Sequence, residues 1–392
     1  MSTARDDAIR ESVIETSARE SLGKLHALGI ETLRETGRIA WADRFFYAIV
    51  GIHALAAVIL LVASGQRASL AFSAYAVVWP LVFLIQFPFI YLLLGVLQVV
   101  HRFDRRRGLA FRKLLSTRRI SHFAAGLGLL LALMVFQGAF TSFKNVFPLW
   151  AGGFPFDTTF AGIDSAIHYG QDPWRILHRF DSGILTAIVD WNYDHGWFVL
   201  CYVALFAVAV VPEAARIRTR YMLTYVATWI IVGNVLAGLF PAAGPAFYGH
   251  VTGDSDRFAP LLASLSENGG TTTVSMAFQD YLWSLYSNGQ PGFGSGISAF
   301  PSMHVALITM NALFAWEWKR RLGLVAFAYV GFVALSSVYL GWHYAIDGYA
   351  AIVITVVVYA AIRRWATGKT SAPDAAPVSA AAASTSPRLT TS

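Results

Sequence analysis

Charge is scarce in this chain: 14% of its 392 residues are Asp, Glu, Lys or Arg, while 56% are hydrophobic. A soluble domain carries about 25% charged residues, and the mean hydropathy of +0.52 points the same way. Such a chain has lipid, rather than water, as its main solvent. Cysteine is nearly absent. Cys201, alone in an apolar run, excludes an internal disulfide and a thiolate zinc cluster. The formal charge of +7 does not argue for nucleic acid, because the basic residues sit in short clusters between apolar runs. The first 44 residues are polar and mixed in charge, so no cleavable signal peptide is expected. No repeat of fixed period is visible.

What is present is a series of apolar runs. A membrane helix needs about 20 apolar residues. Eight runs qualify: Phe45 to Ala63, Leu70 to Val100, Ile120 to Phe143, Gly196 to Ala215, Tyr221 to Phe240, Pro301 to Trp318, Leu322 to Trp342, and Ile346 to Ile362. The second carries Pro80 and Pro88 and is expected to kink or tilt. The predicted fold class is therefore all-α, a polytopic membrane bundle of about eight helices.

Basic residues set the orientation. Arg102 to Arg119, Arg216 to Arg220, Lys319 to Arg321, and Arg363 to Lys369 form four clusters. All four fall on one side if the spans alternate, and the positive-inside rule makes that side cytoplasmic, with both termini. The opposite loops, 144–195 and 241–300, then face outward. The first contains Asp164 to His168 and Asp172 to Leu177, whose spacing predicts short amphipathic helices at the interface. The second is polar, glycine-rich and long for a connector, which marks it as functional. Residues 5–40 place Ile9, Val13, Leu22, Leu25, Leu28 and Leu33 at helical spacing among charges, as in a surface or partner-binding helix. The chain thus divides into an amphipathic segment (1–44), two extra spans with a basic loop (45–119), a catalytic membrane domain (120–365) and a disordered tail (366–392).

Two histidines stand out among the 10. Pro301-Ser302-Met303-His304 reads as a helix start, with proline at the first helical position. Free N–H groups and the positive dipole end make such a start an anion site, to which Ser302 adds a hydroxyl. The second is His343, four residues before Asp347. On one helix face the carboxylate would hold one ring nitrogen and leave the other free as base or nucleophile. By the topology above, both histidines arrive at the outer membrane face. An acid and an imidazole near a membrane are costly without a purpose. A facial metal triad of two histidines and Asp347 is the chemical rival. The proline-serine start suits an anion better, so no metal or organic cofactor is expected. His26, His53, His101, His122, His168, His178, His195 and His250 lack such a partner pattern and read as ordinary side chains.

These segments resemble two signatures of the phosphatidic acid phosphatase type 2 superfamily. Pro301-Ser302-Met303-His304 is similar to its second signature, and the run ending His343-Tyr344-Ala345-Ile346-Asp347 to its third. The resemblance implies a six-helix phosphatase-like core, with His343 as nucleophile forming a phosphohistidine, Asp347 as its orienter and His304 as general acid. Pro301 and Ser302 would lie at the phosphate. Ser336-Ser337 replaces the usual Ser-Arg of the third signature, and the Lys-x6-Arg-Pro first signature is missing. Both changes resemble the inositol phosphorylceramide synthase branch, as does Pro241 to Tyr248. They also remove phosphate-binding cations. Arg175, Arg179, Arg257 and Lys144 are the outer-side candidates to replace them; Arg175 is the first choice, because Pro173-Trp174 can anchor it at the interface.

The resemblance implies transfer of a phosphate ester from a membrane lipid at the extracytoplasmic face, to a lipid hydroxyl or to water. A phospholipid headgroup transferase and a lipid phosphate phosphatase are the two outcomes, and the branch resemblance favours the transferase. A transporter is the other class, against which stand the few ionisable residues within the spans. A scaffold would not need the His343–Asp347 pair. The expected partners are membrane lipids, and the composition fits a bacterial inner membrane with a periplasmic site.

Overall fold

The computed structural model describes residues 2–102, 106–268 and 273–370. Among them every regular element is helical. Among the described residues seven helices are long and apolar enough to cross a membrane, which marks the chain as an integral membrane protein. They are Arg44–Ala63, Arg67–Arg102, Arg107–Ala151, Gly183–Val210, Pro212–Leu239, Arg320–Tyr339 and Ala345–Ala366. The eighth expected span, Pro301 to Trp318, is a helix of 16 residues, Met303–Trp318. At 1.5 Å per residue it is only about 24 Å long.

The principal helices are α1 (Ser2–Ala42), α2 (Arg44–Ala63), α3 (Phe87–Arg102), α4 (Thr117–Ala151), α5 (Asp157–Ile167), α6 (Gly183–Trp191), α7 (Trp197–Val210), α8 (Ala215–Thr228), α9 (Val274–Ser287), α10 (Met303–Trp318), α11 (Arg320–Tyr339) and α12 (Ala345–Thr370). The segment before α3 is broken into short helical pieces, with a π-turn over Leu81–Gln86 directly after Pro80. Proline's missing N–H accounts for the break.

Several expectations shift, among them the fourth span, which begins at Gly183 and not at Gly196. Helix α4 does not stop at Phe143 but runs on through Pro148 to Ala151, where Gly152 at φ +72° closes it. Lys144 is therefore inside a helix and not in a loop. The glycine-rich stretch 241–300 is partly helical, containing Tyr248–Thr252, Ala259–Asn268 and α9. Helix α12 continues to Thr370, so residues 366–370 of the expected tail are helical; the remainder, 371–392, lies outside the described residues.

Helix α1 covers the segment expected to be amphipathic, and its Leu22, Leu25 and Leu33 are exposed. It is joined to the bundle through Asp43, between α1 and α2. Arg218 Nη2 on α8 lies 2.9 Å from Asp43 Oδ2, both side chains being buried. Thr219 Oγ1 donates to Asp43 Oδ1 at 2.7 Å. Asp43→Ala would leave the Arg218 charge buried and uncompensated, a loss of about 3–5 kcal/mol. We expect that substitution to lower the thermal midpoint of the detergent-solubilised protein by several degrees. Glu35→Ala, which removes the exposed ion pair with Arg38, should leave the midpoint unchanged.

Candidate active site

The site is built where α10, α11 and α12 meet. Helix α11 ends at Tyr339, and Gly341 at φ +73° turns the chain. The backbone N–H groups of Trp342 and His343 both donate to the Ser337 carbonyl, at 3.0 and 3.2 Å. His343 thus stands in the turn before α12, while Asp347 is in the first turn of α12. The spacing predicts a shared helix face, which the pair does not have, because His343 precedes the helix. The pair meets because Asp347 reaches back over the helix start: its Oδ2 accepts the Tyr344 N–H at 2.9 Å, as in a capping box. The same oxygen lies 3.2 Å from His343 Nδ1. With Nδ1 facing a carboxylate, Nε2 is the free nitrogen. Both side chains are buried.

The remaining N–H groups at the start of α12 are met by another element. Asp164 on α5 accepts from Ala345 N at 2.6 Å and from Ile346 N at 2.9 Å. A carboxylate at a helix N-terminus also suits the helix dipole. One helical turn pair earlier on α5, Asp157 accepts from Tyr344 Oη at 2.7 Å, Gly244 N at 2.9 Å and Ala243 N at 2.7 Å. Burial raises the pKa of both carboxyls from its ordinary value, against these donors, which favour the ionised form. Burial and the neighbouring Asp157 push the Tyr344 hydroxyl far up, so it remains a donor. The loop at Gly244 lies tight against the turn: a Cβ there would come within 2.6 Å of the Trp342 carbonyl. Gly244, at φ +100°, is needed on both counts.

The start of α10 is fixed to the same place. Ser302 N donates to the Asp347 carbonyl at 3.2 Å. Met303, not Pro301, is the first helical residue of α10: Ser302 is the N-cap, and its Oγ accepts from Val305 N. The His304 ring is held between aromatic planes, 4.4 Å from Tyr193 at 17° and 4.2 Å from Trp197 at 41°. Trp197 Nε1 donates to the His304 carbonyl at 3.0 Å.

A cavity of about 180 Å³ opens beside the two histidines. His304, His343 and Pro301 line it, together with Lys144, Asp194 and a largely aromatic wall that includes Tyr193, Trp197, Tyr202, Trp229 and Trp342. Ser302 is buried behind that surface. The loop over Lys144 is closed by Gly296, where a Cβ would come within 2.8 Å of Lys144 Cγ. The arginines expected to serve the phosphate do not line this cavity. Arg257 is gripped by Asp172, with Nη2 at 2.6 Å and Nε at 3.3 Å, and also donates to the Ala161 carbonyl. Arg175 lies over the Trp174 ring, 4.5 Å from its centroid, and is half exposed. Arg179 donates to Gln171. None of the three lines the cavity; Lys144 does. Among the described residues no cluster of three His, Cys, Asp or Glu side chains is arranged to hold a metal ion.

The sequence reading assigned no role in the site to Asp157, Asp164 or Tyr344. A signal existed, since Asp157 and Asp164 are seven residues apart and share a face of a short helix. Replacing Asp157 by Ala strands three buried donors, each worth about 1–3 kcal/mol. We expect Asp157→Ala to lower the thermal midpoint sharply, and Tyr344→Phe, which strands no backbone group, to lower it less. Equal midpoints for the two variants would contradict this arrangement.

Basic clusters and cavity occupy opposite ends of the long helices. The 20 residues of α11 separate Arg320 and Arg321 from the His343 turn, about 30 Å. The family model of the PAP2 superfamily matches residues 154–361. No curated protein and no solved structure matches the chain. The matched stretch spans more than half of the sequence and contains His304, His343 and Asp347 together with the α5 carboxylates that seat them. A membrane protein whose described residues form only helices, with this site and this match, belongs to the PAP2 superfamily.

Proposed function

We propose that the chain transfers a phosphoryl or phosphodiester group from a membrane lipid through a phosphohistidine on His343. PAP2 superfamily membership supports phosphatase or phosphotransferase activity on phosphate esters. The observation that carries the finer reading is the His343–Asp347 contact, which leaves Nε2 free on a residue that lines one cavity with His304 and Lys144. His343 Nε2 attacks phosphorus, the ester P–O bond breaks, and His304 gives its proton to the departing oxygen. An acceptor hydroxyl then attacks phosphorus, the P–N bond breaks, and the proton returns to His304. Asp347 orients the imidazole and stabilises its cationic form.

Charge builds on the phosphoryl oxygens during transfer and needs fixed positive charge. Lys144 takes that role in this reading, in place of Arg175 and Arg257. Arg257 is already committed to Asp172. Pro301 forms part of the cavity wall, and Ser302 caps α10 and holds His304 at its height.

The aromatic wall supports transfer to an alcohol over hydrolysis, because it shields a phosphohistidine from bulk water. We read the protein as a phospholipid headgroup transferase of the inositol phosphorylceramide synthase type, with a lipid hydroxyl acceptor such as ceramide or diacylglycerol, working at the periplasmic face of a bacterial inner membrane. The alternative outcome is a lipid phosphate phosphatase.

The test uses purified full-length protein in detergent, offered labelled lipid phosphates and phosphoinositides with and without ceramide and diacylglycerol. We expect new phospholipid that requires an acceptor. Free phosphate alone would make the protein a phosphatase. His343→Ala should remove turnover by a factor of at least ~10³, and Lys144→Ala by roughly 10²–10³. Arg175→Ala should keep most of it. Full activity of Lys144→Ala with loss in Arg175→Ala would reverse the assignment of the cation.

A further inference from the structure

We propose that the Tyr193 hydroxyl is a second donor to the transferring phosphoryl group, acting beside Lys144; this rests on the phosphotransfer reading of the site. Tyr193 lies in the π-turn Asn192–Gly196 that joins α6 to α7. Such turns add a residue to the helix and re-aim the side chains on it, and they recur at functional sites. The turn is tightly built: a Cβ at Gly196 would come within 2.8 Å of Asn192 Oδ1, which accepts from Tyr329 Oη.

Three observations converge on Tyr193. Its side chain is 1% exposed, yet its hydroxyl has no hydrogen-bond partner among the described residues. Its ring stacks on His304. It lines the cavity that also holds His343 and Lys144. A buried hydroxyl without a partner is costly, and where one persists a ligand commonly completes it. Stacking alone does not need the oxygen. The same cavity uses Phe140, Phe198 and Phe247 where only a ring is required.

A neutral donor also fits the chemistry. The equatorial oxygens of a phosphoryl group in transfer accept several hydrogen bonds. Lys144 supplies one charge. A second cation beside His304 would disfavour its protonated form, which must deliver the proton, whereas a hydroxyl would not.

The rival is a positioning role, in which a water links the Tyr193 hydroxyl to Asp347 Oδ1, another buried oxygen without a hydrogen-bond partner among the described residues. Orthovanadate, which mimics the pentacoordinate phosphoryl group, separates the two. Wild type, Tyr193→Phe and His343→Ala would be purified full length. Thermal midpoints would be read without vanadate and across a vanadate titration. We expect Tyr193→Phe to melt no lower than wild type, since it loses only an unsatisfied hydroxyl. Its vanadate affinity should fall roughly 10- to 100-fold. A lowered midpoint with wild-type vanadate affinity would overturn the proposal in favour of the bridging water. Unchanged values of both would overturn it outright. Turnover that survives His343→Ala would sink the phosphotransfer reading itself, a result distinct from either. Failure of the wild type to bind vanadate would overturn the donor role too.

Discussion

Two buried carboxylates on one short helix, Asp157 and Asp164 of α5, hold the turn from Gly341 to Asp347 in place. Between them they satisfy the Tyr344 hydroxyl and four backbone N–H groups, two of them at the start of α12. A helix that begins inside a bundle has donors no water can reach, and each must find an acceptor. Here the acceptors that solve this folding problem also fix the position of His343 and Asp347. The Ser302–Asp347 backbone bond then ties the start of α10, and with it His304, to the same frame. The proposed nucleophile, its carboxylate and the proposed acid are therefore set by one network, which a change at α5 would disturb as a whole.

The cavity follows from that frame. Its two π-turns, Asn192–Gly196 and Trp229–Leu236, contribute Tyr193, Asp194, Trp229 and Gly233 to the wall. Gly233 allows close packing there, as a Cβ would come within 2.6 Å of the Phe140 ring. The result is a space of few charges and many rings, in which a single cation counts for more than it would in water. Lys144 is in that space because α4 does not end where its apolar run ends.

Much of this was legible in the chain. Apolar length and basic clusters gave the spans, since lipid leaves the backbone few alternatives. The histidines and Asp347 were visible as costly residues near a membrane. The same logic applied to Lys144, which closes the apolar run before Asn145, and would have ranked it above Arg175. What pattern could not supply was pairing across distance. That Arg257 is bound by Asp172, 85 residues away, depends on how the loops fold over each other. Nor does an i, i+4 spacing say whether His343 lies on the helix or just before it. Gly341 decides that, by ending α11 two residues earlier. The short α10 was read as a full span because its composition is apolar throughout; its length is set by the Ser302 cap and by the break at Lys319.

The most direct test of the account is to trap the covalent intermediate. Purified protein would be incubated briefly with a substrate lipid labelled in its phosphate, quenched in base and digested, and the labelled peptide sequenced. The account predicts a label on the peptide containing His343, stable to base and lost in acid, as a phosphoramidate is. A label on a carboxylate or hydroxyl side chain, or rapid turnover with no label on any peptide, would contradict it.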